Sequence, residues 1–212
     1  MARKTMTRTA KKGAAKKSAA RKTPARKSAS KARRPAKSAA KKASRTAARR
    51  AEPKDLGDLF METLKDIYHA EKQILRALPK MAKAAQSGDL RRAFETHTQE
   101  TRGHVERVEK IFALAGTPPK AKPCHAILGL VEEGEEVMKE FKGSDALDAG
   151  LLAAAQAVEH YEMSRYGTLK SWAEQHGMHE VARLLGETLA EEKHADQLLT
   201  QIAESNVNRM AA

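Results

Sequence analysis

The chain repeats itself. Displaced by 91 residues against its own sequence, Ile67 meets Val158, His69 meets His160, Glu71 meets Glu162 and Leu78 meets Leu169. The same displacement sets Leu90 against Val181, Phe94 against Leu185, Glu100 against Glu191, Val108 against Leu199 and Ile111 against Ile202. Apolar residues recurring every three or four positions predict helices, and one offset aligns two pairs of them. Periodicity brings apolar residues into register, but it does not bring glutamates with them. The matched pairs Glu71/Glu162 and Glu100/Glu191 need a reason of their own, because a carboxylate on a face meant for the core is costly unless something pairs with it.

The first helix opens on an acidic turn at Asp55 and Asp58 and carries Phe60, Leu64, Ile67, Ile74 and Leu78. Pro79 is expected to kink it and Ser87-Gly88 to end it. Asp89 is expected to cap the second helix, which carries Leu90, Phe94, Val108, Ile111 and Phe112 and stops at Gly116-Thr117-Pro118-Pro119. A shorter amphipathic piece, AILGLVEEGEEVMKEF, follows. Ser144 is expected to cap a long helix reaching about His176, closed by Gly177, and a last helix runs from about Met178 to Ser205. Alternating strand patterns are absent, so the class is all-α. Two helical hairpins, residues 55–115 and 145–205, joined by a long crossover with a short helix, make the ferritin-like topology of a four-helix bundle. The expected division is a tail over residues 1–52 and a helical domain over 53–206.

Such a bundle holds a carboxylate-bridged pair of metals when two helices each give a glutamate and the other two each give a glutamate with a histidine one turn away. Glu71 and Glu162 are the lone carboxylates. Glu100 with His104 and Glu191 with His194 are the combined sets, since spacings of four and three keep both side chains on one helix face. The halves differ: ETRGH spaces its histidine by four where EEKH spaces it by three, and Gly103 occupies the position matching His194. Glu159, three residues before Glu162, is an additional or replacement ligand. Glu192 with Asp196 competes with Glu191 and His194, and His97 can orient a ligand from one turn before Glu100. Two irons are the expected cofactor; manganese accepts the same donors. The tyrosines, Trp172 and the other histidines read as packing or surface residues, and Cys124 has no assigned role.

Charge divides the chain. Its net +13 conceals residues 1–50, with 20 of the 40 Lys/Arg and no acid, and residues 51–212, which hold the other 20 and all 27 Asp/Glu. The tail therefore carries +20 and the remainder −7. No Val, Ile, Leu, Met, Phe, Tyr or Trp occurs between Thr7 and Asp55, so the tail cannot bury enough apolar surface to offset ordering and is expected to be disordered. Its units AAKKS, ARKS and RKTP, broken by Pro24 and Pro35, resemble the tails of bacterial histone H1-like proteins. Lys11, Lys12, Lys16, Lys17, Arg21, Lys22, Arg26, Lys27, Arg33, Arg34, Lys41, Lys42, Arg49 and Arg50 are the expected contacts to DNA. They would bind phosphate by releasing counterions, and without aromatics to stack on bases the expected partner is duplex. Nothing reads as a membrane span or a secretory signal. With Cys124 the single cysteine, no intrachain disulfide forms, which suits a reducing cytosol. A cytoplasmic, nucleoid-associated protein is the expectation.

DLFMETLKDIYHAEKQILRALPKMAKAA, HTQETRGHVERVEKIFALAGTPP, AVEHYEMSRYGTLKSWAEQHG and LLGETLAEEKHADQLLTQIA together resemble the YciE/YciF-type family of ferritin-like proteins, over nearly all of residues 55–205. The resemblance implies a rubrerythrin-like bundle with a dimetal centre, a link to bacterial stress responses, and self-association, for which a homodimer is expected. It supports Glu71, Glu100, Glu162 and Glu191 as ligands, with His104 and Glu159 behind them. His194 is particular to this sequence, and the tail lies outside the resemblance.

Two functions of different class follow. In one, a di-iron protein held on the nucleoid oxidises Fe(II) with peroxide or dioxygen, as a ferroxidase or peroxidase, and protects DNA. In the other, the bundle only oligomerises and the chain is an architectural DNA-compacting protein whose many tails gain avidity. A metal-free signalling adaptor is a third option, with no tight metal and no dependence on DNA.

Overall fold

A computed structural model describes residues 53–212. The tail and its fourteen nucleic-acid candidates, Lys11 to Arg50, lie outside the described residues, as does the expected disorder. Five helices carry the fold: α1 (Leu56–Ala84), α2 (Gly88–Leu114), α3 (His125–Glu140), α4 (Leu147–Gln175) and α5 (His179–Ile202). A π-helical turn, Ala203–Val207, and a last short turn, α6 (Asn208–Met210), follow. Among the described residues there is no strand.

The helices α1 and α2 pack as one hairpin and α4 and α5 as another; the hairpins meet through α2 against α5 and α1 against α4. The helix α3 belongs to the crossover and lies on α1 and α4. This is the all-α, ferritin-like bundle that the repeat predicts. Its core is apolar at both ends, with Phe60, Leu64, Phe94, Phe112, Leu169 and Leu185 almost wholly buried.

Local signals fix the helix ends, with differences from the sequence expectation. Asp55 and Asp58 form a reciprocal capping box on α1, each carboxylate accepting from the other's backbone N–H at 2.9 and 3.1 Å. The helix continues through Pro79 to Ala84. Ser87, not Asp89, caps α2. Its hydroxyl reaches the Leu90 N–H, while Asp89 already lies in the first turn. Ser144 stands ahead of α4, which starts at Leu147 with no side-chain cap. Gly177 turns the α4–α5 hairpin at φ 67°, where a Cβ is unfavourable. Gly150 lets α3 approach α4: a Cβ there would stand 2.7 Å from Val137 Cγ1.

Candidate metal centre

Each long helix turns one stripe inward at alternating spacings of three and four. On α1 it runs Phe60, Leu64, Ile67, Glu71, Ile74, Leu78, and on α2 Leu90, Phe94, His97, Thr101, His104, Val108, Ile111. On α4 it runs Leu152, Ala155, Glu159, Glu162, Tyr166, Leu169, and on α5 Leu185, Thr188, Glu192, Ala195, Leu199, Ile202. Every one of these residues is buried. The polar members fall near the middle of their helices, so packing stacks them into one layer between apolar ends.

In that layer His97, Glu159, Glu162 and Glu192 each offer a ligand atom within 4.8 Å of the others, and so do Glu71, His104 and Glu192. Glu192 belongs to both groups. Its Oε2 lies 3.6 Å from His97 Nε2 and its Oε1 3.0 Å from His104 Nδ1. Glu159 Oε1 is 3.4 Å from His97 Nε2, and Glu71 Oε2 is 3.7 Å from His104 Nδ1.

Most of the atoms facing the layer make no well-aligned hydrogen bond among the described residues. Glu71 Oε2, Glu159 Oε2, both oxygens of Glu162, both of Glu192, His97 Nε2 and His104 Nδ1 are buried without a hydrogen-bond partner. Buried polar atoms are almost always paired, and eight orphans converging on one layer call for a ligand. Four carboxylates carry a formal charge that two divalent cations would balance, and oxygen with imidazole suits iron or manganese. Donor set and charge both fit a pair of metals.

The outer nitrogens of the histidines are anchored. His97 Nδ1 lies 3.0 Å from Glu100 Oε2, and His104 Nε2 lies 2.9 Å from Glu191 Oε2. Arg107 grips Glu191 through both guanidinium nitrogens, at 2.8 and 3.0 Å, and also donates to Thr188 Oγ1 at 2.6 Å. A carboxylate behind each imidazole fixes which nitrogen faces inward. Tyr166, fully buried, donates its phenol proton to Glu71 Oε1.

Burial raises Glu159, Glu162 and Glu192 above the ordinary carboxylate range, and the carboxylates repel one another besides. Burial works against a charged His104, yet the facing Glu192 and Glu71 outweigh it and lift its pKa to about 11. His97 rises for the same reason, burial being overcome by Glu159 and Glu100. At the edge the direction reverses. The hydrogen bond from His97 holds Glu100 low, and at Glu191 partial burial is outweighed by Arg107.

Of the residues singled out in the sequence, Glu71, His104, Glu159 and Glu162 come together in the inner layer. Glu159 and Glu162 both reach it, three apart on one stripe. Glu100 and Glu191 do not; their side chains are 34% and 38% exposed, each bonded to the back of a histidine. His194 is exposed. On α5 the inward position belongs to Glu192, because the stripe from Leu185 to Leu199 passes through it, and Glu191 stands one residue out of phase. Asp196 faces His160 and Gln156 instead. His97, expected behind a ligand, turns Nε2 into the layer. Continuing the three-and-four spacing from Leu90 and Phe94 marks His97, Thr101 and His104, and from Leu185 it marks Glu192. That signal was in the sequence.

The fold and the site define a ferritin-like helical bundle with a buried His/Glu cluster able to hold metal. Residues 55–212 match the family described as Domain of unknown function (DUF892), and the chain belongs to that family. Protein YciF of Escherichia coli (strain K12) is 45% identical over 159 residues, covering 74% of this chain and 96% of YciF. The crystal structure of that E. coli stress protein superimposes with a TM-score of 0.70 over 74% of this chain and 99% of that one, at 44% identity. A ferritin-like, diiron-carboxylate protein of Bacillus anthracis str. Ames shares the fold at a TM-score of 0.54 and 18% identity, over 71% of this chain and 99% of that one. No described helix is long and apolar enough to cross a membrane.

Proposed function

We propose that this chain is a di-iron protein that oxidises Fe(II) with peroxide or dioxygen beside DNA. The observation that carries the reading is the set of unpartnered oxygens and nitrogens of Glu71, His97, His104, Glu159, Glu162 and Glu192, which converge from all four bundle helices. A scaffold that only oligomerised would have no reason to keep four carboxylates in its core at the cost of their desolvation. The relative YciF is a stress protein, which agrees with an antioxidant role here.

The residues divide the work. Glu192 lies between the two histidines and belongs to both donor groups, and with Glu71, Glu159 and Glu162 it would hold the metals and balance their charge. Glu100 and Glu191 keep the imidazoles turned inward. Tyr166 restrains Glu71, and the apolar ends of the bundle keep bulk water out. Two ferrous ions, when bound, would supply the two electrons that, with two protons from solvent, take one peroxide to two waters. The tail, with +20 against −7 on the rest of the chain, would carry this chemistry to DNA, and a homodimer would double the number of tails.

Anaerobic loading of the full chain with Fe(II) tests the metal assignment. About two irons per chain are expected, with consumption of added peroxide. Glu162→Ala and Glu192→Ala are expected to abolish both. Iron uptake that these substitutions leave intact rejects the assignment.

A further inference from the structure

Resting on the dimetal reading, we infer that divalent cations enter the centre through the cleft between α2 and α5, with Glu100 and His194 as their first, transient binding site. The two outer carboxylates are repeat mates, yet they are not equivalent. Glu191 is occupied: Arg107 holds both its oxygens, and Thr188 fixes the guanidinium in turn. Among the described residues Glu100 accepts only from His97, and no lysine or arginine pairs with it. One end of the site thus carries a built-in cation, and the other presents a bare carboxylate at the surface.

A cavity of about 60 Å³ lies behind that carboxylate. Thr96, Glu100 and His194 stand at its mouth, Thr96 and His194 being exposed. His97 and Glu159, both at least nine-tenths buried, form its floor. Each of these floor residues has an unpartnered atom, Nε2 of His97 and Oε2 of Glu159. The cleft therefore leads from the surface to two residues of the inner layer. A carboxylate beside an imidazole is a donor pair for a divalent cation, and anionic groups deeper in the cleft draw a cation inward. Glu100 also bonds to the back of His97, so a cation caught at the mouth sits next to the imidazole that would receive it. This gives His194 a use that its exposure denies it as a ligand of the buried centre.

Stopped-flow uptake of Co(II), followed by its visible d–d absorption, tests the route on metal-free full-length protein. His194→Gln removes one donor at the mouth, and Thr96→Lys places a cation there at an exposed position. Each is expected to slow uptake about tenfold, the low end of what charge steering contributes, while the final Co(II) count per chain stays at the wild-type value. Added salt is expected to recover part of the rate lost in Thr96→Lys. Unchanged rates in both variants overturn the route and leave the centre standing. A lower final count in His194→Gln overturns it differently, by making His194 a ligand. A wild-type chain that takes up no Co(II) refutes the dimetal reading and the route together.

Discussion

His104 Nε2 lies 2.9 Å from Glu191, and this bond fixes what each residue can do. Glu191 accepts the imidazole proton from outside the layer, so His104 presents Nδ1 to the interior. Replacing Glu191 with Gln keeps the shape and loses the charge that orients the ring and pairs with Arg107. Loss of such a supporting carboxylate costs a metal site about 10- to 100-fold in affinity. The expected outcome for Glu191→Gln is weaker binding with the number of ions per chain unchanged, read by titration with Mn(II) or Co(II). Loss of one ion per chain would make Glu191 a ligand.

Glu162 is fully buried, and both its oxygens lack a partner. In the metal-free protein it is a cost. Replacement of such a group by an apolar side chain of similar volume is expected to stabilise the metal-free bundle by about 1 to 4 kcal/mol. Glu162→Leu should therefore raise the thermal midpoint without metal and lose the further rise that metal gives the wild type. Calorimetry of both proteins with and without Mn(II) checks this. A lower midpoint in metal-free Glu162→Leu would show that Glu162 is satisfied as it stands.

The offset of 91 residues exposed Glu71 and Glu162 because both are stripe positions whose mates are also glutamates. It drew attention to Glu100 and Glu191 for the same reason, yet these are matched residues at the edge. One residue along a helix is a rotation of about 100°, so Glu191 and Glu192 point in different directions, and only the packing phase of α5 chooses between them. That phase follows from Leu185, Leu199 and Ile202, all apolar and all visible in the sequence. The two halves have also diverged inside the layer: Thr101 is the mate of Glu192, and Ala195 is the mate of His104. A search for matched ligands passes over residues whose mates are not ligands. What the sequence could not supply is the grip of Arg107 on Glu191, which depends on how α2 meets α5.

Acidity acts on the metal-free bundle with a definite sign. Glu159, Glu162 and Glu192 have folded values raised above the ordinary 4.5, so folding holds their protons and stability falls as pH rises past 4.5. His104, raised from 6.5 to about 11, contributes stability that is complete below 6.5 and lost as pH climbs towards 11. Glu100 and Glu191, held low, oppose this only below the ordinary carboxylate value. The metal-free protein should therefore melt at a higher temperature near about pH 5 than near about pH 9. Metal needs deprotonated ligands, so the gap between loaded and metal-free midpoints should widen with pH. Melting curves across that range, with and without Mn(II), read both slopes. A metal-free midpoint that rises with pH contradicts the assignment.

Tyr166 donates to Glu71 within the core, and among the described residues no other donor reaches that oxygen. Tyr166→Phe leaves Glu71 Oε1 unpartnered, at an expected cost of about 1 to 3 kcal/mol to the metal-free protein. Binding of metal by Glu71 should recover part of the loss, so the deficit is expected to shrink in the loaded protein. Urea unfolding of both forms measures it. An equal deficit with and without metal would separate Glu71 from the metal layer.

Charge makes the tail a prediction independent of the bundle. Twenty Lys/Arg stand in residues 1–50 without an acid, while residues 51–212 carry seven more acids than bases. The logarithm of the tail's affinity for DNA should fall linearly with the logarithm of salt concentration, with a slope of about 0.9 for each phosphate neutralised. It should be indifferent to sequence, because no aromatic or other large apolar residue between Thr7 and Asp55 is available to read or stack on bases. Removing residues 1–50 leaves an acidic bundle that phosphate repels, so binding to duplex DNA should be lost while Mn(II) stoichiometry is kept. Fluorescence anisotropy with a labelled duplex at several salt concentrations, for the full and the shortened chain, measures the slope and its loss. A shortened chain that still binds DNA with the same slope would move the nucleic-acid site from the tail to the helices.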